Sequence, residues 1–270
     1  MVDFATIGGI VVAVGSLVLG FILDGGTVGS LIQINAAILI LGGTIGATLT
    51  TVSMKEFTNI VKYLRIAFMG KTPSALGVID QLVDLATIAR REGILALEEQ
   101  LESFSDPFLK SGIQLVVDGV DPELVKNMLE TELAFLDERH QGAAAMFDSA
   151  GGFAPTMGII GTVMGLVRVL GNLKDVSTLG PEIASAFIAT LYGVSSANVF
   201  WIPIATKLKK KHSEESLLRE VMIEGVLSIQ AGENPKILGQ KLKAFLAPGE
   251  RERKVQRQEE RDPVVETNEA

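Results

Sequence analysis

Two threonines, Thr162 and Thr190, stand inside long uncharged apolar runs of this 270-residue chain. A hydroxyl in such a place is an oxygen ligand. With backbone carbonyls it can replace part of a sodium ion's water shell, whereas a proton passes from water to a carboxylate without such a cage. If the two runs are membrane helices centred near residues 160 and 194, the rise of about 1.5 Å per residue puts Thr162 roughly 3 Å and Thr190 roughly 6 Å from the midplane, on the same side. The pair is therefore expected at similar depth on one pathway. The plainer role for each is a bond to the carbonyl one turn back. No Asp, Glu, His or Lys lies inside any of the apolar runs. A chain so built lacks the intramembrane acid of an ion relay, so any ion it moves needs an ionisable group from a partner.

Other chemistry is poorly provided for. The chain has no cysteine and two histidines, His140 and His212, both among charged neighbours that read as solvated helix faces. Thiol catalysis, disulfides and thiolate zinc sites are excluded, and a net charge of −8 argues against nucleic acid as a partner.

The elements that carry the threonines follow from the charge pattern. Uncharged runs cover Phe4 to Leu23, Val28 to Met54, Ser149 to Val167 and Ile183 to Thr206. Each is long enough to cross a bilayer as a helix, for which about 20 residues suffice. The first follows Asp3 rather than a basic segment, so it reads as a span and not a signal peptide. Only residues 24–27 separate the first two, giving a tight hairpin. Lys55, Lys62, Arg65, Arg139 and the cluster Lys207, Lys209, Lys210 and Lys211 flank one set of helix ends, while the hairpin loops carry little beyond Arg168 and Lys174. By the positive-inside rule both termini and the middle segment are cytoplasmic. Arg168 is expected to snorkel to the headgroups.

Small residues recur in the membrane runs: Gly158, Gly161 and Gly165 in the third, Ser185, Ala189, Gly193 and Ala197 in the fourth. Such spacing lets helices approach closely, within one chain or between subunits. Between Ser53 and Asp148, nine basic residues stand against sixteen acidic ones, so this segment is solvated. Helical periodicity places Ile79, Leu82, Val83, Leu85, Ala86 and Ala89 on one face, and Leu124, Val125, Met128, Leu129, Leu133 and Leu136 on another. Asp106 and Asp121, each before a proline, are expected N-caps, and Pro73 a further break. Leu217, Leu218, Val221, Met222, Val226, Leu227 and Ile229 form an apolar face for packing on this domain. The expected fold is an all-α integral membrane protein with four transmembrane helices in two hairpins and a large cytoplasmic helical domain. Its segments are a first hairpin (1–54), the helical domain (55–148), a second hairpin (149–206), a cytoplasmic amphipathic segment (207–247) and a disordered charged tail (248–270).

Three stretches carry a resemblance: GGFAPTMGIIGTVMGLVRV from Gly151 to Val169, LYGVSSANVFWIPIATK from Leu191 to Lys207, and ARREGILAL from Ala89 to Leu97, followed by Glu98. They are similar to the MotA/PomA flagellar stator subunits, with similarity from the first span to about residue 247. The resemblance implies no enzyme and no cofactor, but a bacterial inner-membrane subunit through which H+ or Na+ permeates. Five copies would surround two helices of a MotB/PomB peptidoglycan-binding partner, whose aspartate binds the ion, and would exert torque on the rotor protein FliG. Pro155 and Pro203 match the family's membrane-boundary prolines, with a hinge or coupling role implied for them. Arg90 and Glu98 match its rotor-contacting charges; read as one helix, they lie about 12 Å apart along it. A threonine matching Thr190 is widespread in the family, whereas one matching Thr162 is more like sodium-driven members. ExbB/TolQ-like energisers of outer-membrane processes are the alternative within the superfamily. They have three spans, and the N-terminal hairpin here argues against them.

Overall fold

The computed structural model describes residues 3–69, 74–104, 106–171, 173 and 176–246. The expected break at Pro73 and the tail at 248–270 lie outside them. Among the described residues the regular elements are all helical: α1 (Phe4–Leu23), α2 (Val28–Leu31), α3 (Ile34–Leu49), α4 (Met54–Thr58), α5 (Ile60–Met69), α6 (Ala75–Glu92), 3₁₀ turns over Ile94–Ser103, α7 (Pro107–Val117), α8 (Pro122–Gly171), α9 (Val176–Ser196), a π turn over Ala197–Trp201, α10 (Ile202–Gln230) and α11 (Pro235–Lys243). Among the described residues, four stretches are long and apolar enough to cross a membrane, within Phe4–Leu23, Val28–Leu49, Pro122–Gly171 and Leu179–Gln230. The fold is that of an all-α integral membrane protein.

Local chemistry sets the ends. Asp3 caps α1 by accepting the N–H groups of Ala5 and Thr6, and Ser53 with Glu56 forms a capping box on α4. Asp106 caps α7 through the N–H groups of Phe108 and Leu109, and Asp121 accepts the Glu123 N–H at 3.0 Å at the start of α8. Both aspartates thus cap where the sequence indicated. The second span departs from the expected continuous helix: α2 stops after one turn, Ile32 and Gln33 are extended, and α3 ends at Leu49.

The chain divides into two compact units, one formed by Met1–Lys71 with Glu138–His212, the other by Thr72–Asp137 with Ser213–Ala270. In the first unit α1 buries none of its residues, and Ile159, Val163, Val167, Phe187 and Leu191 are also exposed. That apolar surface suits lipid or neighbouring subunits rather than water. Its interior is made of small side chains around a few large ones: Ala144, Phe147, Ala150, Ala154, Ala197, Trp201 and Ala205 form one cluster.

The second unit is organised the other way. Val78, Ile79, Leu82, Leu85 and Ala86 of α6 meet Ile113, Leu129, Leu218, Met222, Val226, Ile229 and Leu238 in one large apolar core. Arg219 donates to Asp106 Oδ1 at 2.7 Å and lies 4.8 Å over the Phe108 ring. One expected face is rotated. Val125, Leu129 and Leu133, spaced four apart, supply the buried stripe of α8 here, while Leu124 and Met128 are exposed. Apolar residues on both sides of this helix made its buried side ambiguous from pattern alone.

Candidate functional site

The expected small-residue stripes meet each other within the first unit. A Cβ on Gly161 would lie 2.7 Å from Ala189 Cβ, one on Gly165 would lie 2.5 Å from Ala186 Cβ, and one on Gly158 would lie 3.0 Å from Thr190 Cα. Only hydrogen fits at these points, so α8 and α9 pack nearly backbone on backbone.

This approach brings Thr162 and Thr190 together. Their hydroxyl oxygens are 2.5 Å apart, Thr162 Oγ1 is 2.9 Å from the Ala186 carbonyl and 3.2 Å from that of Gly158, and Thr190 Oγ1 is 3.3 Å from the Gly158 carbonyl. Four neutral oxygens thus share two hydroxyl protons in a half-buried cluster. It can offer a cation oxygen dipoles but no charge, and it cannot release a proton to a relay. Thr162 also makes the one-turn-back contact that the plainer reading expected, in addition to its bonds across the helix pair.

The two matched prolines occupy neighbouring turns. Pro155 lies within α8, where it leaves the Gly151 carbonyl without its helical N–H donor. A Cβ on Gly151 would lie 2.6 Å from Ile202 Cγ1, and Ile202 immediately precedes Pro203. Pro203 follows the π turn, in which the Ile202 N–H reaches back to the Ala197 carbonyl. The ring of Pro203 would press on the carbonyl of Val199 in a regular helix, and the widened turn relieves that conflict. The sequence suggested a proline boundary but not the π turn.

Arg90 and Glu98 do not share a helix, contrary to the expectation. Gly93 ends α6 with φ +95°, a conformation costly to side-chain-bearing residues, and Glu98 lies in the 3₁₀ turns beyond it. Arg90, Glu98 and Glu99 are all exposed, and Arg91 is exposed and paired with Glu92. Among the described residues, neither Arg90 nor Glu98 has an ion-pair partner.

The lysine cluster and Arg168 are less solitary than expected. Lys207 pairs with Asp3 and Lys209 with Asp148, while Lys211 Nζ donates to the Ile66 carbonyl at 2.5 Å. The Lys207 ammonium beside Asp3 holds its carboxyl down to about 2. Glu182 lies in α9 because that helix starts before the uncharged run, and its Oε2 is enclosed 3.8 Å from Arg168 Nε, beyond hydrogen-bond reach.

Two arrangements have no signature in the sequence. Tyr192 spans the break in the second span, accepting the Gln33 N–H at 3.2 Å and donating to the Leu31 carbonyl at 2.5 Å. His140 and His212 stack edge to face with ring centroids 5.4 Å apart. No group of three or more metal-ligating side chains occurs among the described residues. Nothing in one-dimensional spacing pairs residues so far apart in the chain.

Comparisons with known proteins agree with this architecture. Residues 7–93 match the motility protein A N-terminal family, and residues 100–221 match the MotA/TolQ/ExbB proton channel family. Motility protein A of Bacillus subtilis is 38% identical over 92% of this chain and 93% of its own length, and chemotaxis protein PomA of Vibrio alginolyticus is 36% identical over 92% and 97%. The chain superposes on the flagellar MotAB stator complex of Bacillus subtilis with a TM-score of 0.88 and 38% identity, covering 93% of this chain and 99% of that one. Against MotAB of C. jejuni the TM-score is 0.88 at 31% identity, covering 91% and 96%. With both family matches and full-length likeness to stator chains, the protein belongs to the MotA/PomA family of flagellar stator subunits, which are ion-channel components rather than enzymes.

Proposed function

We propose that this chain couples H+ or Na+ flow across the bacterial inner membrane to flagellar rotation, together with a MotB/PomB-type peptidoglycan-binding subunit. The observation that carries this reading is the α8–α9 seam: oxygen dipoles stand at Thr162 and Thr190 with no carboxylate beside them among the described residues, which supports an ion-binding acid supplied by a second chain. The stator complexes among the relatives support a MotB-type partner. Five copies of this chain around two partner helices form the working unit.

Thr162 and Thr190 line the ion path, and Thr162 favours sodium over protons. Pro155 and Pro203, on adjoining turns, form the hinge that transmits ion passage. Arg90 and Glu98, exposed on either side of Gly93, contact FliG. Both termini and the segments at 55–148 and 207–247 are cytoplasmic, the hairpins at 1–54 and 149–206 cross the membrane, and 248–270 is a charged tail.

The test is expression with a MotB/PomB-type partner in a motile host lacking its own stators. Restored swimming that stops when the partner's intramembrane aspartate is replaced by asparagine is expected. Assembly of the pair without any cation-dependent swimming would reject the reading and leave a structural scaffold.

A further inference from the structure

We propose that Tyr192 is a positioning residue, fixing the register of α9 so that Thr190 meets Thr162; the inference rests on the ion-conducting reading above. A helix interrupted at membrane depth leaves N–H and C=O groups unpaired, each costly in hydrocarbon. The second span is interrupted in this way, with Ile32 at φ −90°, ψ 98° and Gln33 at φ −124°, ψ 97°. One phenol serves a freed group on each side of the break. The Gln33 N–H donates to Tyr192 Oη at 3.2 Å, and Tyr192 donates its own proton to the Leu31 carbonyl at 2.5 Å. Its single donor is used, and phenylalanine could serve neither group.

The bridge acts on the threonines through α9 itself. Ser185, one residue before Ala186, donates to Gln33 Oε1 at 3.4 Å, so α9 is held to the broken span on both sides of Thr190. Between these contacts Ala189 is buried with Ala36 and Ile40, while the Ala186 carbonyl and Thr190 hydroxyl turn to Thr162. A slip of α9 by one residue would move Thr190 by about 1.5 Å and turn it by about 100°. The 2.5 Å contact between the hydroxyls would not survive that movement. The bridge to α2 and α3 therefore sets the geometry of a cluster that Tyr192 does not touch.

Two measurements on the full complex test this. Wild type and Tyr192→Phe are each expressed with a MotB/PomB-type partner, and swimming speed is followed against concentration of the driving cation. The half-saturating concentration is expected to rise about thirtyfold, about fivefold for each of the two hydrogen bonds the phenol makes. Membrane abundance and co-purification with the partner should stay within about twofold, and in a Thr162→Ala background the Tyr192→Phe change should add little. An unchanged half-saturation, or full additivity with Thr162→Ala, would overturn the proposal. So would a fall in abundance that accounts for the loss of speed, which would make the hydroxyl a folding requirement. Independently of any variant, amide exchange of the wild-type complex in lipid nanodiscs should find Gln33 protected like the body of α3, and exchange as fast as in a loop would remove the bridge. If the wild type itself drives no cation-dependent swimming, the stator reading fails, while the exchange result still reports on the bridge.

Discussion

The seam of α8 and α9 and the core around Leu82 solve opposite packing problems. The seam joins two helices through Gly158, Gly161, Gly165, Ala186, Ala189 and Gly193, and the same helices turn Ile159, Val163, Phe187 and Leu191 outward. The core of the second unit hides its large side chains and shows charges. In the membrane, burying a leucine gains little, because lipid is as apolar as the protein interior; closeness of backbones is what holds helices together. In water the gain is the burial itself. A substitution harmless in one region should therefore damage the other.

The largest effect is expected from enlarging the seam. In Gly158→Val the new Cβ falls 3.0 Å from Thr190 Cα and 3.1 Å from the Ala189 carbonyl, both backbone atoms that cannot step aside. Loss of the paired helices is expected, read as loss of co-purification with the partner and of motility. Normal assembly would mean that the helices tolerate separation and that the comparison is wrong. Next, Leu82→Ala in the second unit should cost about 2–5 kcal/mol through the cavity it leaves. Limited proteolysis at rising temperature should cut residues 74–137 earlier, whereas Ile159→Ala on the exposed face of α8 should leave stability nearly unchanged.

Surface charges should matter less to folding and more to function. Reversing Arg90 to Glu or Glu98 to Lys should change stability by about 0–1 kcal/mol while reducing swimming, with partial rescue by opposite reversals on FliG. Full-speed swimming with both reversed would remove this turn from the rotor contact. The smallest effect concerns Asp3. Its carboxyl, held near 2 by Lys207, contributes stability fully above the ordinary aspartate range near pH 4 and loses it as pH falls from there to about 2. Protection of the Ala5 and Thr6 amides, taken relative to their intrinsic exchange rates at each pH, should fall across that window in the wild type, and Asp3→Asn should abolish that change in protection.

The same contrast explains what the sequence could convey. Uncharged runs marked the spans because lipid imposes length and apolarity, and Asp106 and Asp121 marked helix starts because a cap is a local device. The buried side of α8 near Leu124 and Met128 is not legible in the pattern, because a helix apolar on two sides has no single apolar face. The single helix through Arg90 and Glu98 failed at Gly93, a glycine whose φ is invisible in composition. The break at Ile32 and Gln33 carries neither proline nor charge. Its reason lies 159 residues away from Gln33, at Tyr192. Of the site, Thr162 and Thr190 were legible by depth alone, while their contact depended on glycines whose partner helix the sequence could not name.

The most direct measurement is swimming speed against external sodium for wild type and Thr162→Ala, each with its MotB/PomB-type partner and at matched membrane abundance. If the paired hydroxyls serve the permeating ion, wild-type speed rises with sodium, and Thr162→Ala weakens that response while assembly is unchanged. Wild-type and Thr162→Ala curves that coincide would contradict a role for the pair in ion passage. Swimming that ignores sodium but collapses with a protonophore would assign the motor to protons.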